Sequence, residues 1–406
     1  MNALSSSEHI ADAIDWAAAF SSYGRRATAS EIRELLKLLD QPGIISFAGG
    51  IPDPALFPLE ILAEAHARVF ADPALAQAAL QYSVSEGYRP LRDRLAQTWR
   101  DQGVELDADN ILITNGSQQA LDLIGRLFLD PGDVVLSARP TYLGALQAFN
   151  AAAPRHGDLA DLATGPKAKL AYVMPDFANP TGETMGMNQR SALLADAEAR
   201  GVTVVEDGAY VSLSYDGEPP PSLLALEAAA KGSVDPGRVI HCGTFSKTIV
   251  PGLRVGWIVA PRPVIRKLVL LKQAADLHTS SLAQIVLADV LDHLGPGHIQ
   301  ALRAAYGERR DAMLAALDRH MPPGVSWSRP KGGMFVWVDL PEGQDGAALL
   351  QRAIETERVA FVPGGAFFAT EPRRNSLRLA FSLSDPATIE EGVARLGRLL
   401  RSEAAR

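Results

Sequence analysis

Between residues 110 and 259, short apolar runs recur at intervals that leave room for a helix between most of them. The runs are NILIT (110–114), DVVLS (133–137), KLAYVM (169–174), VTVVE (202–206), RVIHC (238–242) and RVGWIV (254–259). Most are continuous rather than alternating, which is the pattern of strands covered on both faces. After the first of them, SQQALDLIGRLFL places Ala120, Leu121, Ile124, Leu127 and Phe128 on one apolar stripe of a helix. Strand and helix in alternation predict an α/β layer fold with a largely parallel sheet.

From about residue 300 the pattern changes. A long helical stretch, ALRAAYGERRDAMLAALDRH, leads to FVWVDL, VAFVPG and LRLAFS and then to a closing amphipathic helix. That order predicts a smaller α+β unit. The first 50 residues hold a helical stretch, SEIRELLKLL, and a Gly- and Pro-rich loop, FAGGIPDPALFP. They are too few and too polar to fold alone, and are expected to pack on the C-terminal unit or on a partner subunit. The expected organisation is an arm over 1–50, a large domain over 51–300 and a small domain over 301–406.

Composition narrows the function classes. The 406 residues carry a formal net charge of −8, with 47% hydrophobic and 21% charged positions. An acidic balance argues against nucleic acid, whose phosphates call for a basic surface. It leaves room for a small anionic ligand, which needs only a local cluster of donors. A single cysteine, Cys242, excludes an intramolecular disulfide and a cysteine-rich metal site; no metal is expected. The N-terminus lacks a basic segment followed by an apolar run, and no apolar run approaches spanning length. A cytoplasmic protein without a membrane partner is the expectation.

Ligands of open α/β sheets bind at the carboxyl ends of the parallel strands. After NILIT come Asn115, Gly116, Ser117 and Gln118, a helix start able to take an anion or simply to carry an N-cap. After DVVLS comes Tyr142, a ring that can stack on a flat ligand or merely pack. Asn179 follows KLAYVM before a proline. Asp207 and Tyr210 follow VTVVE, and a carboxylate at a buried strand end needs a partner unless it caps a helix. RVIHC is followed by Thr244, Ser246 and Lys247, and Arg254 opens the next run. Together these strand ends offer an anion cup, a stacking ring, an amide, a carboxylate, a phenol and a lysine.

The order NPTG, D-x-x-Y, S-K, R-x-G resembles the fold-type I pyridoxal-phosphate enzymes of the class I/II aminotransferase group. SFAGGIPDPALFP, LQYSVSEGY, NGSQQALDL, ADLHT, KGGMFVW and VPGGAFF are similar to its 2-aminoadipate/kynurenine aminotransferase subgroup. The resemblance covers essentially the whole chain. It implies a large pyridoxal 5′-phosphate-binding domain with a mostly parallel sheet, and a smaller α+β domain. It implies an aldimine between Lys247 and the cofactor, and a ping-pong transfer of an amino group from an L-amino acid to a 2-oxo acid such as 2-oxoglutarate.

The same resemblance assigns roles. Lys247 would shuttle the proton, Asp207 would keep the ring nitrogen protonated, and Tyr210 and Asn179 would hydrogen-bond the ring oxygen. Tyr142 would stack on the ring. Ser117, Gln118, Thr244, Ser246 and Arg254 would hold the phosphate, with Tyr82 of a homodimer reaching the neighbouring subunit's phosphate. Arg378 would grip the substrate carboxylate, Gly50 and Asn179 would lie along the substrate, and Arg33 would greet an acidic side chain. The segment after Asn150 is shorter than is usual in the group, so a helix there is expected to be reduced or missing. Two other readings share the sequence: a lyase or decarboxylase on the same cofactor, and a non-catalytic ligand sensor. The sensor reading would need a DNA-binding domain ahead of the arm, for which the 43 residues before IISFAGG are too few.

Overall fold

The computed structural model describes residues 15–27 and 43–404. In chain order its strands are β1 (Ile45–Ser46), β2 (Ile111–Thr114), β3 (Val134–Ser137), β4 (Arg155–Asp158), β5 (Leu170–Val173), β6 (Thr203–Asp207), β7 (Val239–Thr244), β8 (Gly256–Val259), β9 (Ser326–Trp327), β10 (Phe335–Asp339), β11 (Val359–Ala360), β12 (Val362–Pro363) and β13 (Ser376–Ala380). Seven of them form one sheet in the order β2-β8-β7-β6-β5-β3-β4. Only β8 runs against its neighbours β2 and β7; the remaining pairs are parallel. All six runs read from the sequence as strands are strands of this sheet.

The continuous apolar character of those runs is explained by helices on both faces. Ile111 and Ile113 enter one apolar cluster and Leu112 the other; Val134 and Leu136 divide from Val135 in the same way. Each strand therefore needs apolar side chains at successive positions. Helix α1 (Gly116–Phe128) lies on one face with Ala120, Leu121, Leu123 and Ile124 buried. Leu127 and Phe128, expected on its core stripe, are only half-buried at the edge of that cluster. Helix α2 (Arg262–Asp276) packs against α1.

The C-terminal run resolves into a four-stranded sheet, β12-β13-β10-β9, flanked by α3 (Gly297–His320) and α4 (Pro386–Ala404). VAFVPG, expected as one strand, divides between two sheets. Val359–Ala360 pairs in parallel with Ile45–Ser46, whereas Val362–Pro363 pairs with β13. Phe47, just beyond β1, is buried against Val359 and Phe361 in this region's core. The short segment after Asn150 forms β4 and a three-residue turn of 3-10 helix, Leu159–Asp161, before β5 begins. Among the described residues, no helix is long and apolar enough to cross a membrane.

Candidate active site

Because six strands of the large sheet share a direction, the carboxyl ends of β2, β3, β5, β6 and β7 open along one edge, where antiparallel β8 begins. At the end of β2 the chain turns through Asn115 into α1, with Gly116 at φ +75°. That positive φ favours glycine, and a Cβ on Gly116 would lie 2.6 Å from Nη2 of Arg254, so Arg254 would have to shift. On the far side, a Cβ on Gly256 would sit 2.7 Å from the Gly116 carbonyl carbon and 2.8 Å from the Ser117 nitrogen. The β8 backbone therefore presses on the turn, and Arg254 lies over it. The first N–H groups of α1 have no acceptor within the helix and carry the positive end of its dipole. From the end of β7, the Thr244 hydroxyl donates to Ser246 Oγ at 2.9 Å and accepts from the Ser246 N–H at 3.1 Å. The Gln118 side chain turns elsewhere: it donates to the Gly144 carbonyl at 2.7 Å and accepts from the Tyr142 hydroxyl at 3.4 Å.

Asp207, at the end of β6, is 2% exposed. Its Oδ2 accepts from the Tyr172 hydroxyl at 2.9 Å and its Oδ1 from the Ala209 N–H at 3.2 Å. Burial pushes its pKa above the usual carboxylate range, while those two bonds and the Lys247 charge pull the other way. Tyr172 stands on β5 opposite Val205 of β6, so it shares a sheet face with Asp207, two positions beyond Val205. Tyr210 is buried with its hydroxyl bonded to the Asn179 side chain, and burial pushes its pKa up. The Tyr142 phenol is pushed up to about 12, by burial first and Asp207 second, against the pull of Arg378 and Arg254.

Lys247 is half-buried, with Nζ 5.8 Å from the centre of the Tyr210 ring. Among the described residues Nζ makes no hydrogen bond and no ion pair. Its pKa falls to about 8: burial is the main cause, Arg254 and Arg378 add repulsion, and Asp207 opposes them. Arg378 on β13 is 3% exposed and lies between two rings, 4.3 Å from the Phe335 centroid and 5.0 Å from that of Phe367. Nη1 donates to Asn179 Oδ1 at 2.8 Å and Nη2 to the Ala48 carbonyl at 2.7 Å. Its Nε is buried without a hydrogen-bond partner among the described residues. Burial lowers its pKa to about 10, so the guanidinium stays charged at neutral pH. Gly50 passes close to one of those rings: a Cβ there would lie 2.3 Å from Phe335.

The structure thus draws Lys247, Asp207, Tyr210, Tyr142, Asn179, Arg254 and Arg378 into one cluster, with the Ser117 turn and the Thr244–Ser246 pair at its edge. Tyr82 is not drawn in. It is 80% exposed and meets the His278 ring edge-on at 6.1 Å. Arg33 lies outside the described residues. Sequence reasoning missed Tyr172 and Phe335, which the strand register places, and Phe367, which ends the short 3-10 helix Gly364–Phe367. Among the described residues, no cluster of three or more His, Cys, Asp or Glu is placed to hold a metal ion.

These groups fit pyridoxal 5′-phosphate. A partnerless amine suits its aldehyde, a buried carboxylate braced by a phenol suits its ring nitrogen, and a helix start beneath an arginine suits its phosphate. The model of the family "Aminotransferase class I and II" matches residues 42–155 and 158–396, breaking within the shortened segment. The 2-aminoadipate transaminase of Thermus thermophilus is 45% identical over 96% of this chain and 98% of its own. Aromatic-amino-acid aminotransferase 1 of Thermococcus litoralis is 42% identical over 97% and 96%. A crystal structure of an alpha-aminoadipate aminotransferase from Thermus thermophilus, complexed with N-(5'-phosphopyridoxyl)-L-leucine, superposes with a TM-score of 0.88 at 43% identity. It covers 97% of this chain and is itself covered completely. The chain belongs to the class I and II aminotransferases, and it is a fold-type I, pyridoxal-phosphate-dependent aminotransferase.

Proposed function

We propose that this enzyme moves the amino group of an L-amino acid to 2-oxoglutarate in two half-reactions on one site, with ping-pong kinetics. The observation that carries the reading is the pairing of a partnerless Lys247, its pKa near 8, with Arg378, whose Nε is buried and unpaired. When bound, pyridoxal phosphate supplies an aldehyde carbon for the amino group and a ring that accepts the electrons of the substrate's Cα–H bond. Lys247 Nζ, with a pKa lowered to about 8, takes the proton from Cα and returns it. Arg378 grips the substrate carboxylate with its planar guanidinium. Its orientation is set by Asn179, the Ala48 carbonyl and the two flanking rings. Asp207 pairs with the ring nitrogen, Tyr210 and Asn179 hold the ring oxygen, and Tyr142 stacks on the ring. Ser117, Gln118, Thr244, Ser246 and Arg254 hold the phosphate, and Gly50 lies along the substrate.

The functional unit in this reading is a homodimer. Leu80, Tyr82 and Val84 are exposed along one segment, which suits burial against a second copy. Tyr82 would then serve the neighbouring site. An arm over 1–50, a large domain over 51–300 and a small domain over 301–406 complete the organisation, in the cytoplasm, where the buried thiol of Cys242 stays reduced. The relatives act on 2-aminoadipate and on aromatic amino acids, so long acidic and aromatic donors are the first to test, with Arg33 meeting an acidic side chain. A donor panel with 2-oxoglutarate, followed through the absorbance of the bound cofactor, tests the reading. Conversion with at least one such donor, and parallel double-reciprocal lines, are expected. No spectral change with any amino acid would sink it.

A further inference from the structure

Behind the turn that opens α1 lies a second polar cluster with no place in the chemistry above. Lys272, on α2, has no exposed surface at all. Its Nζ donates to both oxygens of Asp276 and to Gln119 Oε1, each at 2.9 Å. Asp276 Oδ2 also accepts from the Gln119 amide at 2.7 Å and from the Asn115 side-chain amide. Gln119 Oε1 accepts a second bond, from the Asn115 backbone N–H at 2.8 Å. Asn115 is thus held by main chain and side chain at once, immediately before the Gly116–Ser117 turn. The chain then leaves Asp276 through a γ-turn. Leu277 has φ 65° and ψ −61°, and the His278 N–H donates to the Asp276 carbonyl at 2.7 Å. This is a strained three-residue turn that persists only where its surroundings enforce it.

An ion pair with one buried member is a poor way to gain stability, since burying the charges offsets most of their attraction. It does fix position. The cluster holds Asn115 from α2, while Gly256 of β8 packs against the Gly116–Ser117 backbone. We propose that Lys272, Asp276 and Gln119 are positioning residues for the cofactor's phosphate: through Asn115 they hold the helix-start N–H groups and Ser117 in the arrangement that receives the dianion. The inference rests on the phosphate reading of that turn and identifies what keeps the turn in place without touching the ligand. The link runs over 161 residues between Asn115 and Asp276, so it joins two helices that the sequence sets far apart.

The test compares two probes on the full chain stripped of cofactor: pyridoxal 5′-phosphate and pyridoxal, which lacks the phosphate. The informative change is the double variant Lys272→Met/Asp276→Leu, which removes both charges and keeps the volume. It is expected to melt near the parent temperature, to bind pyridoxal phosphate at least tenfold more weakly, and to bind pyridoxal within twofold of the parent. Asn115→Ala, which leaves the ion pair intact, is expected to show the same selective loss at several-fold and serves if the double variant does not fold. Unchanged pyridoxal phosphate binding in a folded variant, or equal losses for both probes, would overturn the proposal. The parent protein separates this from failure of the phosphate reading: if it binds the two probes equally, the turn holds no phosphate and the reading itself is wrong.

Discussion

Lys247 and Lys272 both belong to the surroundings of one helix start and meet burial in opposite ways. Lys272 is wholly enclosed, and every hydrogen bond from its ammonium is answered by Asp276 or Gln119. Lys247 is half-buried, has its Nζ over the Tyr210 ring and two arginines for neighbours, and makes no hydrogen bond among the described residues. Burial lowers both pKa values. For Lys272 the Asp276 carboxylate opposes the fall; for Lys247 the arginines deepen it, to about 8. A paired buried cation holds structure, and an unpaired one is poised to give up its proton. The difference between a brace and a reactive amine lies in the neighbours.

That contrast can be broken by substitution. Lys247→Ala should remove the covalent absorbance band of the bound cofactor and lower transamination by several orders of magnitude, with the melting curve of the stripped protein little changed. Arg378→Leu should cost about 3 kcal/mol of transition-state binding, roughly a hundredfold in kcat/KM, because a buried charge-assisted pair with the substrate is lost. Steady-state kinetics with a good donor measure it. Lys272→Met alone should act on stability instead, since Asp276 loses its counter-charge. A loss of about 2 kcal/mol in denaturant unfolding is expected, less than for a fully buried pair because Asp276 keeps 22% side-chain exposure. Adding Asp276→Leu should return most of that loss. The smallest effect is expected from Tyr172→Phe, which deletes one hydrogen bond to Asp207. Such a bond contributes about 1.5 kcal/mol, so kcat should fall by up to roughly tenfold and unfolding stability by no more than that amount. Loss of that donor raises the Asp207 pKa further, so a deficit that shrinks as pH rises would tie the loss to the carboxylate's charge and not to packing.

Much of the large sheet was legible because its strands are covered on both sides and must be apolar at every position. The strand ends were legible too: a polar residue directly after such a run stands out, as Asp207 does after VTVVE. What lies within a run does not stand out. Tyr172 looks like one more core residue in KLAYVM until the β5–β6 register sets it on the same face as Asp207. Phe335 and Phe367 look like packing until Arg378 is found between them. The split of VAFVPG was hidden because two-residue strands carry no period, and only the pairing of Val359 with Ile45 separates them. The Gln118 side chain, expected at the phosphate, is bonded to Gly144 and Tyr142, which the sequence did not signal. Neither Lys272 nor Asp276 gave a signal, because a Lys–Asp pair four apart on a helix usually marks a solvated face. Only the fold encloses it.

The contrast between the two lysines is tested most directly by the pH dependence of acylation in the cofactor-stripped protein, with each modified lysine identified by peptide mass. Only the neutral amine reacts, so modification should rise as pH passes through each lysine's own pKa. Lys247 should react with a midpoint near pH 8, well below the ~10.4 of a free lysine in water, and Lys272 should stay unmodified in the folded chain. A Lys247 that titrates together with the exposed lysines, or a Lys272 that reacts at the same pH as Lys247, would contradict the account.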